Sequence, residues 1–119
     1  MYLKYTMSSS SSAEVKAPLA TSSVLYAASK YIGIKCREQN LAFLECKSSA
    51  PDPAKCLPQG AEIHSCVSEM LLTLTKVCPE QFTKYAKCIE DEPLEDYAFE
   101  ECRAHEKRLA KCTAKALDI

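Results

Sequence analysis

The spacing of the cysteines is the feature that most restricts how this chain can fold. Nine residues separate consecutive cysteines in each of the stretches CREQNLAFLEC, CKSSAPDPAKC, CLPQGAEIHSC, CPEQFTKYAKC and CRAHEKRLAKC. Ten residues of helical rise place two Cα atoms about 15 Å apart, whereas a disulfide requires them within about 7 Å. Cysteines with this spacing in one helix therefore cannot bond to each other, and each needs a partner on another helix.

Helix breakers decide which segments form the hairpins. Ten residues turn a helix through about 1000°, so both cysteines of a unit face the same neighbour, and two antiparallel units place two disulfides in register. Pro51 and Pro53 interrupt one helix and Pro93 interrupts another, whereas 67–77 continues as helix. Nested pairing within the two resulting hairpins predicts the disulfides Cys36–Cys66, Cys46–Cys56, Cys78–Cys112 and Cys88–Cys102.

The predicted fold class is all-α, with two tandem disulfide-laddered helical hairpins preceded by a short helix and an irregular tail. The boundaries are a Ser-rich tail over 1–21, a helix over 22–33, a first hairpin over 34–68 and a second hairpin over 77–119. The second helix of the first hairpin is expected to continue to about residue 76.

The short helix over 22–33 has recognisable ends and one apolar face. A serine can cap its start and Gly33 can end it. The apolar face contains Val24, Leu25, Ala28 and Ile32. This face either packs on the body of the protein or belongs to a free helix that docks on a partner, and the pattern is compatible with both.

Apolar residues also recur at fixed distances from the cysteines. The seventh residue after the leading cysteine of each hairpin unit lies about two helical turns further on, where it would fill the seam between paired helices. These seam residues are Phe43, Ile63, Tyr85 and Leu109. A second stripe continues from Ile63 through Val67, Met70, Leu71 and Leu74. It suits either packing between the hairpins or contact with a larger assembly, because small hairpins bury little apolar surface.

Composition and motifs exclude most catalytic and ligand-binding classes. The balance of 15 basic and 16 acidic residues gives no electrostatic reason to bind nucleic acid, and two glycines are too few for a phosphate-binding loop. The sequence has no CXXC for zinc or dithiol chemistry, no adjacent cysteines as in copper chaperones, and no unpaired thiol once its cysteines pair. His64 and His105 each stand alone. We therefore predict no catalytic residue, cofactor, metal or small-molecule substrate.

Charge is nevertheless segregated near the C-terminus. The segment IEDEPLEDYAFEE is acidic and is expected to be a solvated loop, with docking of a basic partner as the alternative. The helix that follows is basic and could offset this loop or touch anionic lipid headgroups. Its basic residues are Arg103, Lys107, Arg108, Lys111 and Lys115.

The N-terminal residues bear on the compartment, because disulfides persist only where conditions are oxidising. The stretch MYLKYTMSSSSSAEVK lacks the apolar core of a signal peptide and the arginines of a matrix presequence. No segment approaches the run of about 18 apolar residues that a membrane span requires. We expect an uncleaved chain that is oxidised in the mitochondrial intermembrane space.

Several local stretches carry a family resemblance: SSVLYAASKYIGIKC before the first pair, AFLEC, the link DPAKC, and CPEQFTKYAKC. With the order of all eight cysteines, the block from Ser22 to Cys112 resembles the PGIV-type accessory subunits of mitochondrial respiratory complex I, which have a double CHCH domain. Animal members have a long C-terminal tail, whereas seven residues follow Cys112 here, as is typical of the plant or algal type.

The resemblance implies a non-catalytic structural subunit without a cofactor. Such a subunit would support assembly and stability of the membrane arm, peripherally on the intermembrane-space side of the inner membrane. Its partners would be other membrane-arm subunits and the oxidative import machinery, and its cysteines would be structural. A soluble assembly factor or chaperone of the twin-CX9C class is the alternative. A redox-active dithiol enzyme is disfavoured because CXXC is absent.

Overall fold

The computed structural model describes residues 16–92 and 100–119, and these residues form a helical protein. In chain order the α-helices are α1 (Ser22–Lys35), α2 (Arg37–Ser49), α3 (Leu57–Val77), α4 (Pro79–Asp91) and α5 (Arg103–Leu117). One-turn 3-10 helices, Pro53–Cys56 and Glu100–Cys102, precede α3 and α5. No strand occurs in the described part of the chain, and the predicted all-α class is confirmed. Most of the predicted Ser-rich tail, and the loop at Pro93, lie outside the described residues.

Helix α1 differs from its predicted form at both ends and on one face. The Thr21 hydroxyl, rather than a serine, caps the helix by accepting a hydrogen bond from the Val24 N–H at 3.3 Å. The helix passes through Gly33, because one glycine in a helix costs only about 1 kcal/mol. Leu25 lies on the exposed side. The residues that α1 buries are Ala27, Ala28 and Tyr31.

The first hairpin consists of α2 and the N-terminal half of α3, and it is thin. Pro51 and Pro53 break the helix between them, and the Asp52 carboxylate accepts a hydrogen bond from the Ala54 N–H at 3.1 Å. Helix α2 contains no fully buried residue. A two-helix layer buries little apolar surface, so this hairpin depends on its disulfides more than on a core.

The core lies in the other half of the molecule. The C-terminal half of α3 packs with α4 and α5, and α1 packs across α4 and α3. Only Cys78 separates α3 from α4, and Pro79 suits the first turn of α4 because its missing N–H would have no helical partner. The buried cluster contains Ala27, Ala28, Tyr31, Met70, Leu71, Leu74, Cys78, Phe82, Tyr85, Ala86, Ile89, Cys102 and Leu109. Within the described ranges, no helix is both long and apolar enough to cross a membrane.

Candidate functional site

Four disulfides form two ladders, one in each hairpin. The pairs are Cys36–Cys66, Cys46–Cys56, Cys78–Cys112 and Cys88–Cys102, which are the pairs that the helix breakers predict. Their Cα–Cα distances are 5.9, 5.9, 6.1 and 5.7 Å, within the range of unconstrained disulfides. All eight cysteines are bonded, so the oxidised chain has no thiol that could act as a nucleophile.

Each disulfide joins two structurally different cysteines. One occupies the N-cap position of a helix, makes no side-chain capping hydrogen bond and is at most 2% exposed. We call these the N-cap cysteines: Cys36, Cys56, Cys78 and Cys102. The other lies within a helix and is half-buried. We call these the in-helix cysteines: Cys46, Cys66, Cys88 and Cys112.

The in-helix sulfurs also contact the backbone in a regular way. The Cys66 sulfur lies 3.7 Å from the carbonyl oxygen of Lys35, the residue that precedes its partner. The Cys46 sulfur is 3.6 Å from the Lys55 oxygen, and the Cys112 sulfur is 3.7 Å from the Val77 oxygen. A disulfide sulfur has no hydrogen to donate, so these are close contacts rather than hydrogen bonds. They show that both hairpins use the same local packing.

The four seam residues occupy two environments. Tyr85 is 6% exposed and Leu109 is fully buried, and both belong to the core. Phe43 and Ile63 are half-buried in the thin first hairpin. The Phe43 ring lies 3.7 Å from the position that a Cβ on Gly60 would take, so it covers α3 at that point.

The burial of the apolar stripe on α3 corrects the interpretation that this stripe contacts a larger assembly. Met70, Leu71 and Leu74 are at most 4% exposed, and Val67 is half-buried against the same cluster. Other helices of this chain cover the stripe, so the alternative that it faces a partner is wrong for the three buried residues. Helical periodicity identified the apolar face but could not identify what covers it.

Exposed leucines lie on α2, where the sequence analysis did not look for a functional surface. Leu41 is 48% exposed and Leu44 is 61% exposed. They lie about 140–160° around the helix from Cys46, on the side opposite the disulfides. Two leucines three positions apart, facing away from the cysteines, are the sequence signal that could have found them.

Among the described residues, Tyr85 is a buried titratable group with a perturbed pKa. Burial, followed by the nearby negative charge of Glu106, raises the pKa of Tyr85 to about 12. The phenol is therefore neutral at physiological pH. Arg103 Nη1 donates a hydrogen bond to Glu106 Oε1 at 2.8 Å, and this ion pair holds the Glu106 carboxylate in place on α5.

One cluster contains atoms that commonly bind metals. The sulfurs of Cys88 and Cys102 and a carboxylate oxygen of Glu92 lie within 4.8 Å of one another. Thiolates, rather than disulfide sulfurs, bind metal ions, and these two sulfurs are bonded to each other. The cluster is therefore not a metal site in the oxidised chain.

A groove of about 770 Å³ runs between the start of α1 and α4. Its apolar lining includes Val24, Phe82, Ala86 and Ile89. The charged residues Lys87 and Glu90 also border it. The described lining has no nucleophile paired with a base, so this groove gives no support to a catalytic function.

Comparisons with known proteins agree with the disulfide framework. A family profile described as "CHCH-CHCH-like Cx9C, IMS import disulfide relay-system" matches residues 71–116, which contain the second ladder. Three similar proteins are named as subunits of NADH dehydrogenase or NADH-ubiquinone oxidoreductase.

Two of these relatives come from Arabidopsis thaliana. The chain is 39% identical over 94 residues to NADH dehydrogenase (ubiquinone) 1 alpha subcomplex subunit 8-A, covering 79% of this chain and 84% of the relative. It is 40% identical over 72 residues to subunit 8-B, covering 60% and 68%. The Neurospora crassa NADH-ubiquinone oxidoreductase 20.8 kDa subunit is 32% identical over 108 residues, covering 89% and 57%. The chain therefore belongs to the family of the alpha subcomplex subunit 8 of NADH dehydrogenase (ubiquinone), the PGIV-type family that its sequence resembles.

Proposed function

We propose that the protein is a non-catalytic accessory subunit of mitochondrial complex I that supports assembly and stability of the membrane arm. The observation that carries this proposal is the 39% identity across 84% of an alpha subcomplex subunit 8. The function fits a chain whose cysteines are all committed to disulfides. Its contribution is a rigid pair of hairpins that other subunits pack against.

We further propose that the subunit lies peripherally on the intermembrane-space side of the inner membrane. Oxidation there would trap the chain, and the matching family profile is described by an import disulfide relay of that compartment. The oxidative import machinery is thus a transient partner that forms the disulfides. Other membrane-arm subunits are the permanent partners.

The exposed leucines of α2 suggest where such a subunit makes contact. Leu41 and Leu44 belong to a helix that buries none of its own residues in the chain. Leucines at positions i and i+3 are neighbours on a helix, and contiguous exposed apolar side chains mark surfaces that another protein covers. We propose that this face meets an apolar surface of a neighbouring complex I subunit.

Native separation of mildly solubilised mitochondria tests residence in the complex. We expect the chain to migrate with the large band that has NADH dehydrogenase activity in the gel. Migration as a small soluble species would instead support the assembly factor or chaperone of the twin-CX9C class. As a control, free thiols are alkylated before separation, and absence of the alkyl label on this chain confirms that its disulfides are intact.

A further inference from the structure

The outward surface of α5 is unusually rich in positive charge. We call it the basic face, and it consists of Arg103, Lys107, Arg108, Lys111 and Lys115, all of which are exposed. The opposite side of α5 places Leu109 and Thr113 in the core. Glu106 is the single acidic residue of this helix, and it pairs with Arg103 at the flank of the face. The whole chain has a net charge of −1, so this local excess reflects segregation rather than composition.

The distal lysines of this face are not neutralised within the described residues. Lys107, Lys111 and Lys115 take part in neither of the ion pairs found there. Most of the described acids of the second hairpin, such as Glu90 and Glu92, lie at its Cys88–Cys102 end. Glu80 and Asp118 lie at the other end, and neither takes part in these ion pairs. Lys115 lies beyond Cys112, about 18 Å along the helix from Arg103. The positive charge of this end is therefore open to an external anion.

Positive charge extends from α5 onto α4. Lys84 and His105 line the same shallow groove at the seam of the second hairpin. An Arg108 Nη1 lies 3.3 Å from His105 Nδ1, so Arg108 borders this groove as well. Lys87 also lines it, paired with Asp91 at 3.5 Å. The cations thus cover parts of two adjacent helices rather than a single row.

The composition of the basic face favours a lipid surface over a protein partner. The large exposed apolar residues of the described chain all lie outside α5, and the remaining exposed positions on this side are small, such as Ala104 and Ala114. Protein interfaces have apolar cores with aromatic residues, and they are depleted in lysine. Lysines on long flexible stems without an apolar anchor instead suit a diffuse anionic surface.

We propose that the basic face of α5 lies against the anionic headgroups of a bilayer. The lysine ammonium groups approach the phosphates while the helix stays outside the hydrocarbon region. Each lysine near such a surface strengthens binding about fivefold at physiological salt. The proposal deepens the proposed function and rests on it only for the presence of a membrane beside the subunit.

Vesicle sedimentation of the purified, oxidised protein tests this contact. One vesicle preparation is phosphatidylcholine alone, and the other adds phosphatidylglycerol as the anionic lipid. We expect binding only to the anionic vesicles, weakening as ionic strength rises past about 0.15 M because salt screens exposed charges. The triple variant Lys107→Gln/Lys111→Gln/Lys115→Gln should bind the anionic vesicles at least about tenfold more weakly.

A matched variant controls for net charge. Lys16→Gln/Lys35→Gln/Lys55→Gln removes the same charge from exposed positions outside α5 and should bind like the unmodified protein. Equal weakening in both triple variants, or no preference for anionic vesicles at low salt, would overturn the proposal. Binding to soluble polyglutamate without binding to vesicles would overturn it too and assign the face to an acidic protein. The assay contains no other subunit, so its failure leaves the native-gel test of complex I residence unaffected.

Discussion

Cys36 is bonded to Cys66, 30 residues further along the chain, and the two sulfurs sit in different surroundings. Cys36 is fully buried at the N-cap of α2, where the helix dipole favours negative charge. Cys66 is half-buried within α3. The other three disulfides repeat this combination of an N-cap cysteine and an in-helix cysteine. The two ends of each bond should therefore differ in reactivity.

We expect reduced glutathione to attack the in-helix sulfur of each disulfide. Its thiolate forms a mixed disulfide there, the original S–S bond breaks, and the N-cap sulfur leaves as a thiolate that later takes a proton from water. The in-helix sulfur is the more accessible to attack, because its N-cap partner is buried. A helix N-terminus also lowers a thiol's pKa, and a thiolate of lower pKa leaves faster. Brief treatment, acid quenching, alkylation and peptide mass spectrometry should place glutathione on Cys46, Cys66, Cys88 or Cys112, and the alkyl label on their partners.

The same treatment of the chain unfolded in denaturant is the control for this regiochemistry. Unfolding removes both the burial and the helix dipoles, so glutathione should then distribute over both cysteines of each pair. An even distribution in the folded protein as well would show that neither burial nor the N-cap position directs the exchange.

The difference between the core and the thin hairpin can be measured with leucine substitutions. Leu74, on α3, is fully buried in the core cluster, and Leu74→Ala should lower the free energy of unfolding by about 2–5 kcal/mol through lost burial and a cavity. Leu44→Ala changes an exposed leucine and should shift it by less than about 0.5 kcal/mol. Denaturant unfolding with intact disulfides measures both values, and similar losses for the two variants would contradict the assigned burial.

The disulfide pairing could be predicted because covalent geometry leaves few alternatives. A spacing of ten residues excludes bonding within a unit, and Pro51 and Pro53 mark one hairpin turn without any knowledge of tertiary contacts. The same reasoning predicted the helical class. These predictions depend only on the spacing of the cysteines and the positions of the prolines, which can be read directly from the sequence.

The packing of α1 could not be predicted in the same way. Val24, Leu25, Ala28 and Ile32 form a plausible apolar face, yet the structure buries Tyr31 and exposes Leu25. Helix α1 has overlapping faces of similar hydrophobicity, so its sequence alone does not show which face is buried. The face that packs against α4 and α3 becomes the buried one. The stripe containing Leu74 illustrates the same limit, because periodicity does not show which other helix covers it.

The buried phenol of Tyr85 predicts a loss of stability in alkaline solution. Its folded pKa of about 12 is higher than the value near 10 expected for the unfolded chain. Its contribution is therefore fully present below about pH 10 and is lost as pH rises from about 10 to about 12. Over that window each pH unit lowers the free energy of unfolding by up to about 1.4 kcal/mol.

Tyr85→Phe removes the ionisable group while keeping the ring. Denaturant unfolding after rapid pH jumps should show a flatter dependence on pH for this variant between about pH 10 and 12. Spectrophotometric titration of the folded variant should likewise lack the phenol that titrates near pH 12. Parallel pH dependences for the two proteins would show that Tyr85 does not cause the alkaline loss.

The exposed leucines of α2 predict a variant that folds normally but associates poorly. Leu41→Ser/Leu44→Ser changes side chains that are 48% and 61% exposed, so the purified chain should keep its helicity and its four disulfides. Loss of the two apolar side chains should lower the fraction of the chain that migrates with the large NADH dehydrogenase band in native gels. The control Glu38→Ser/Glu45→Ser makes the same replacement at two exposed positions that neighbour Leu41 on α2, keeps both leucines, and should migrate normally. Normal migration of both variants would exclude this face of α2 as a contact with a neighbouring subunit, while reduced migration of both would indicate a general effect of serine on the helix.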